Sequence, residues 1–386
     1  MVGPHAFSPV WTARIGFATG HRLNIACPGQ TCLRQSDGCG RVDGADMARR
    51  TGLFFRAIPD TGRVWANVTA ENRLSIGFPN CFVPSPRIQK LISESTQTLW
   101  FPGKPVEDMD LPPGAWLVNF CADADEYSRA MTYLEELGQR TGIPIFNAPA
   151  GILKSRRDNL PSALEGIEGL TCPRCVRFTP AHPSEFEATF RDNGFAYPVL
   201  VRPATSQSGT HMVRIDGPGD WDKIHAIPWG GRALYMTQYV DFRNAAGEFL
   251  KIRVACMGDR VVIRHTLYGP EWIVHAMDRT NATIDREFET HAALRANPLF
   301  KSVIEEIRSR LGLDFFGVDM GQMADGTFVM FEANAAMSIL SFTHMPTYRR
   351  ADYLKIYKAV EEGLIVALRG FQARAAAPRI RYNQAT

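Results

Sequence analysis

Near its C-terminal end the chain carries two apolar runs joined by a two-residue turn, and this feature constrains the fold more than any other. The runs are Leu313-Asp314-Phe315-Phe316-Gly317-Val318-Asp319-Met320 and Phe328-Val329-Met330-Phe331-Glu332-Ala333-Asn334, with Asp325-Gly326 between them. Asp-Gly between apolar runs is a hairpin signal, so two strands are expected to lie antiparallel, side by side. Side chains alternate along a strand, which puts Glu332 and Asn334 on one face, and the pairing brings Asp319 near both. Phe315, Phe316, Val329 and Phe331 predict a buried hairpin, where unpaired carboxylates are costly. Two carboxylates and an amide oxygen on one face form a hard-oxygen site suited to Mg²⁺, whose remaining positions are filled by water and phosphate.

Two further blocks carry charge in patterns of the same kind. Pro198-Val199-Leu200-Val201-Arg202 is an apolar strand ending in a cation, followed by the small polar loop Ser206-Gln207-Ser208-Gly209-Thr210. Backbone N–H groups and hydroxyls of such a loop can approach a polyphosphate closely. Downstream come Gln238-Tyr239-Val240-Asp241, then Glu248-Phe249-Leu250-Lys251-Ile252-Arg253, a Gly258-Asp259 turn, and Val261-Val262-Ile263-Arg264-His265. Gly258-Asp259 reads as a second hairpin turn, and Lys251 and Arg253 share a face at period two. Converging cations of this kind can neutralise a transferring phosphoryl group.

Upstream, Ala115-Trp116-Leu117-Val118-Asn119-Phe120 reads as a buried strand, followed by an acidic loop with Asp123 and Asp125 and a helix from Glu126 to Leu137. With the short strand Ile143 to Asn147 this resembles the last turn of an open α/β sheet, where ligands sit beyond the strands' carboxyl ends. Asp123 and Asp125 stand at such an end, either as caps of the following helix or as substrate contacts. Helical patterns are expected from Arg156-Arg157-Asp158 to Leu170, from Ser184 to Asn193 with a Ser184/Glu187 capping box, from Lys301 to Leu311 and from Tyr353 to Leu368.

At 386 residues the chain suits two or three domains, with room for a cleft between them. A formal charge of +3, with no dense Lys/Arg tract, argues against a nucleic-acid groove. No apolar run reaches the length of about 20 residues needed to cross a bilayer. Pro4, His5 and Pro9 interrupt the start of the chain, so no secretory signal is expected and the cytoplasm is the expected compartment. Cys27, Cys32 and Cys39 fit no common zinc spacing, and Cys172-Pro173-Arg174-Cys175 supplies only half a zinc site. Reduced thiols are the ordinary reading.

Taken in order, the blocks from about residue 140 to 345 resemble the ATP-grasp superfamily, particularly the branch of ribosomal-protein glutamate ligases and related peptide-modifying ligases. The most specific pieces are the Ile252-Arg253 strand, the Gly258-Asp259 turn, Arg264, Gly317-x-Asp319 and Glu332-x-Asn334. Asn147-x-Pro149 with Arg157-Asp158 downstream, and Glu271-Trp272-Ile273-Val274-His275 after Arg264, look like a less familiar subgroup.

The resemblance implies an α/β (α+β) ATP-grasp fold behind an N-terminal pre-ATP-grasp open α/β domain. That domain would span 1–142, the first ATP-grasp subdomain 143–230 and the catalytic subdomain 231–370, with a mobile tail over 371–386. It further implies that Asp319, Glu332 and Asn334 hold one or two Mg²⁺ ions, with Mn²⁺ as a substitute. Arg264 would meet the γ-phosphate, with Arg253 and Lys251 beside it. Gln238, Tyr239 and Val240 would form the hinge that meets adenine, and Asp241 or Glu248 would take the ribose. Ser206, Gln207, Ser208, Gly209 and Thr210 would cover the phosphates. The family usually has lysine at the position of Arg202 and another near the segment that holds Lys154, Arg156 and Arg157, of which Arg157 is the candidate nucleotide contact with Arg202; arginine keeps the charge and can bind phosphate bidentately.

The implied activity is ATP-dependent ligation of a carboxylate to an amine through an acyl phosphate, on small-molecule or peptide substrates. His265 and His275 are then candidates for binding the acceptor or taking its proton. A phosphotransferase on the same fold and a non-catalytic nucleotide-binding module are the rival readings. No nucleic-acid or membrane partner is expected, and the oligomeric state stays open, with a homodimer among the options.

Overall fold

The computed structural model describes residues 52–68, 74–82, 84–93, 96–100, 111, 115–207, 209–274, 276, 279–340 and 345–376. The first part contains β1 (Gly52–Ala57), the hairpin β2 (Trp65–Val68) and β3 (Leu74–Gly77), β4 (Thr96–Trp100), β5 (Trp116–Asn119) and β6 (Ile145–Phe146). Strands β4, β1, β5 and β6 pair in that order, all parallel. All four residues of β5 are buried, as its continuous apolar run requires of a strand covered on both faces. The crossover helix Ser128–Thr141 ends at Gly142, whose φ of 65° is left-handed, and the Gly142 N–H caps the Gly138 carbonyl.

A middle sheet follows, built from β8 (Cys175–Phe178), β9 (Val199–Pro203), β10 (Val213–Ile215) and β11 (Leu234–Gln238), after the short β7 (Leu170–Thr171). Its order is β10-β9-β11-β8, fully antiparallel, over its own core of Phe186, Val199, Val201, Trp221 and Met236. The third sheet holds β12 (Phe249–Met257), β13 (Arg260–Gly269), β14 (Phe315–Gln322) and β15 (Phe328–Asn334), in the order β13-β12-β14-β15-β7. Both expected hairpins are present, turning at Gly258-Asp259 and Asp325-Gly326. One hydrophobic core runs from Phe55, Leu117 and Leu134 of the first part to Ile252, Phe316 and Met330 of the third sheet.

Asn147 fastens these two parts together. Its side chain bonds both backbone groups of Phe315, donating Nδ2–H to the carbonyl at 2.8 Å and accepting the N–H at 2.9 Å, while its own N–H bonds the Asp314 carboxylate at 2.8 Å. β14 also needs a glycine at 317, because a Cβ there would come within 2.8 Å of the Met337 Cβ. Gly317→Ala is expected to destabilise the fold by about 1–3 kcal/mol through overpacking; an unchanged urea midpoint would contradict this.

The helices depart from expectation in several places. The segment expected to be helical from Arg156 to Leu170 is broken: one helix spans Pro149–Lys154, a single turn spans Leu160–Ala163, and Arg156 to Asp158 lie between them. The helix Ser184–Asp192 has no Ser184/Glu187 box. Instead the Glu185 carboxylate accepts the N–H groups of Ala181 and His182, a local alternative equally able to satisfy free donors.

A helix over Asn281–Ala296, not expected from the sequence, precedes the expected one, which spans Pro298–Leu311. The closing helix, Arg350–Ala376, continues past Leu368 into the segment expected as tail, because Phe371 packs on Trp116 and Phe146. The remainder of that tail and the N-terminal cysteines lie outside the described residues.

Candidate active site

Register across the third sheet builds the site. His265 on β13 lies opposite Arg253 on β12, Arg253 opposite Asp319 on β14, and Asp319 opposite Glu332 on β15. Directly paired residues of antiparallel strands point to the same face, so four strands set a row of imidazole, guanidinium and two carboxylates. Asn334 follows on that face, opposite Gly317, so that no side chain intervenes.

Asp319 is clamped by two cations. Arg253 donates Nε–H and an Nη–H to its two oxygens, both at 2.7 Å, and Lys251 Nζ lies 2.8 Å from Oδ2. Asp319 is only 4% exposed, and burial alone would raise its pKa, but Arg253 and Lys251 outweigh burial and hold it well below the usual carboxylate range. Glu332 is treated alike: burial raises it, while Arg157 and Arg202 bring it below its ordinary value. Arg157 forms an ion pair with Glu332 Oε2, and the Asn334 amide donates to Oε1 at 3.0 Å.

Arg202 folds back on its own loop, donating to the Ser206 Oγ at 3.1 Å and to the Ser206 carbonyl. Among the described residues no carboxylate lies within ion-pair distance of it, and burial, with Arg157 adding to it, pushes the guanidinium down to about 10. Four cations thus surround two carboxylates, an excess of positive charge that suits a polyanion.

The other expected residues are placed as follows. Gln238 clasps the end of its strand, its amide donating to the Ala196 and Pro198 carbonyls at 2.8 and 3.0 Å, and the Tyr239 N–H bonds the Pro198 carbonyl. Val240 is packed with Phe242 and Trp272 around Val274 and Leu267. Asp241 is paired with Arg243, and Glu248 holds Arg286 through both oxygens. Gln207 reaches the Asp123 carboxylate at 3.4 Å, and Gly209 and Thr210 lie in the turn after it. Ser208 and His275 lie outside the described residues.

Arg264 is 8% exposed and donates its Nε–H to the Ile339 carbonyl at 2.9 Å. Its surroundings are Arg279, Glu287 and Tyr353, and burial, with Arg279 adding to it, pushes it down to about 10. Burial, helped by Arg253, Arg279 and Arg264, drives His265 well below its ordinary value, which leaves a neutral and weakly basic ring.

Sequence reasoning passed over Arg279 and Glu287. Glu287 is fully buried, accepting from the Thr266 N–H at 3.2 Å, from Arg279 at 3.3 Å and from the Tyr353 hydroxyl at 2.5 Å. No spacing in the chain announces these contacts, because the partners lie on a strand, a loop and the closing helix.

An open pocket joins this site to the N-terminal part, lined among others by Asp123, Asp125, Arg156, Arg157, Glu332 and Asn334. Asp123 does not cap the helix that follows, which begins at Ser128 with Tyr127 at its N-cap. Its Oδ1 accepts the N–H groups of Asp125 and Glu126 at 2.8 and 3.2 Å, closing a turn. Burial, with Asp125 adding to it and Arg157 opposing it, raises Asp123 to about 7. The C-x-x-C pair shows no activation: burial pushes Cys172 and Cys175 up to about 12, which keeps both as thiols. No helix among the described residues is long and apolar enough to cross a membrane.

No family model and no curated protein matches the chain. Solved structures similar to it include a RimK domain ATP-grasp protein from Sphaerobacter thermophilus (15% identity, TM-score 0.44, covering 83% of this chain and 100% of that one). D-alanyl-alanine synthetase A from Vibrio cholerae is similar at 12% identity and a TM-score of 0.47, over 84% of this chain and 99% of that one. A D-alanine–D-alanine ligase from Bacillus anthracis, complexed with ATP, is similar at 11% identity and a TM-score of 0.42, over 83% and 98% of the two chains.

Proposed function

We propose that the chain is an ATP- and Mg²⁺-dependent ligase that activates a carboxylate as an acyl phosphate and joins it to an amine or another nucleophile. The observation that carries this reading is the row Arg253, Asp319, Glu332 on one sheet face, with Lys251, Arg157 and Arg202 around it. A buried site with more cations than carboxylates is suited to a phosphate chain, and the carboxylates in it remain ionised and hard.

The donor set also fits the metal. Asp319, Glu332 and the Asn334 oxygen would hold Mg²⁺: Asp319 Oδ1 and Glu332 Oε2 are each bonded to a single cation and keep a second lone pair for it, whereas Asp319 Oδ2 is taken up by Arg253 and Lys251. The ion, when bound, neutralises charge on phosphate oxygens. The chain's own contribution is to position: Arg157, Arg202 and Lys251 draw the polyphosphate in, Arg253 fixes the Asp319 carboxylate, and Gln238 stiffens the hinge where adenine would lie. Phosphoryl transfer relies chiefly on such placement and charge neutralisation, which fits a site without an evident covalent nucleophile.

Arg264 is assigned to the transferring phosphoryl group. Arg264→Ala is therefore expected to lower turnover about a hundredfold while changing ATP affinity little; weaker ATP binding with unchanged turnover would contradict that role. The reading as a whole is tested by ADP release in the presence of Mg²⁺ and pairs of amino acids or peptides. Release that needs both a carboxylate and an amine supports ligation, and phosphate transfer to a hydroxyl without an amide product would favour a phosphotransferase.

A further inference from the structure

Resting on the ligase reading above, we propose that Asp123 is the catalytic residue that receives the nucleophile, holding a primary ammonium group in the pocket beside Glu332 and taking its proton. Three carboxylates line that pocket, and their partners separate them. Glu332 is paired with Arg157. Asp125 is paired with Arg177 at 2.9 Å and accepts the Tyr235 hydroxyl. Asp123 alone of the three has no cation within ion-pair distance among the described residues, and its Oδ2 has only the long 3.4 Å contact with Gln207.

Arg156 and Arg157 line the same pocket, but each is paired with a carboxylate of its own, Asp158 and Glu332. Asp123 is the place where a positive nucleophile can enter, and it borders the same pocket as the carboxylate set on β15. Two backbone N–H groups fix Oδ1, so Oδ2 is held ready without a reorganisation step.

An amine is charged near neutral pH and must lose a proton before it attacks. Asp123, raised by burial to about 7, takes a proton far more readily than an ordinary aspartate, whereas His265 is driven the other way. In the step, an N–H proton of the ammonium passes to Asp123 Oδ2 and leaves the nitrogen lone pair free. That pair forms a C–N bond to the carbonyl carbon of the acyl phosphate. The C–O bond to phosphate breaks, phosphate departs with the electron pair, and the surplus proton on nitrogen leaves with it. Asp123 then returns its proton to solvent.

The test is a competition. The full chain is incubated with ATP, Mg²⁺, hydroxylamine and a panel of amino acids and dipeptides that serve as carboxylate and as amine. Hydroxylamine is uncharged near neutral pH and traps an acyl phosphate as hydroxamate without a base, so the amide-to-hydroxamate ratio isolates handling of the ammonium group. Asp123→Asn keeps an oxygen to accept the two backbone N–H bonds and is expected to lower that ratio at least about tenfold. Because the ratio is internal to the folded fraction, partial unfolding does not imitate the effect. An unchanged ratio, or loss of both products in proportion, overturns the role of Asp123. Absence of both ADP and hydroxamate with the unaltered protein contradicts the ligase reading instead.

Discussion

Asp319→Asn is expected to reduce Mg²⁺-dependent ATP turnover by about a hundred- to a thousandfold, the scale of removing one preorganised charge from a site of this kind. Asparagine keeps the shape but cannot balance Lys251 and Arg253, both of which bond Asp319 directly. Breaking a buried pair costs about 3–5 kcal/mol because it strands the remaining charges, so the variant should also melt earlier. Wild-type turnover in a folded variant would remove Asp319 from the mechanism.

The acid behaviour of the same residue has a definite sign. Its folded pKa is depressed, so its stabilisation is fully present above the ordinary aspartate value of about 4 and is lost only as pH falls through the lower folded value. Acidification from about pH 7 to about pH 4 should therefore leave the clamp intact, and the stability difference between wild type and Asp319→Asn should stay constant across that range.

Glu287→Leu is expected to produce the largest loss of stability, about 3–5 kcal/mol in urea unfolding. Leucine would leave the Arg279 guanidinium, the Tyr353 hydroxyl and the Thr266 N–H without the acceptor that now serves all three. Glu287 also offsets the charge of Arg264, so the variant should lose turnover as well. A loss below about 1 kcal/mol would mean that the cluster is wetter than its burial implies.

These two variants mark the limits of what the sequence discloses. The hairpins that carry Asp319, Glu332, Lys251 and Arg253 are legible because period-two alternation and a Gly-Asp or Asp-Gly turn are local signals. The register His265, Arg253, Asp319, Glu332 follows from the turns together with bulges after Arg253 and Asp319, and the bulges have no sequence signature. The helix Asn281–Ala296 was illegible for a clear reason: its buried face is Ile284, Glu287, His291 and Leu294, so two of four inward positions look like surface residues.

Long-range pairs are hidden for a different reason. Arg157 meets Glu332 across 175 positions, and no local pattern encodes that distance in the chain. The Ser184/Glu187 spacing predicts a cap, yet Glu185 bonds the free N–H groups, because neighbouring acids compete for them.

The measurement that bears most directly on the central claim is a calorimetric titration of the purified protein with ATP, with and without Mg²⁺, accompanied by thermal unfolding. Binding that requires Mg²⁺ in the wild type and is lost in Asp319→Asn is the predicted result, with a stabilisation of about 2.7 kcal/mol when ATP reaches a hundred times Kd. Failure of ATP to bind or to stabilise the protein under either condition would contradict the assignment of this site to a nucleotide.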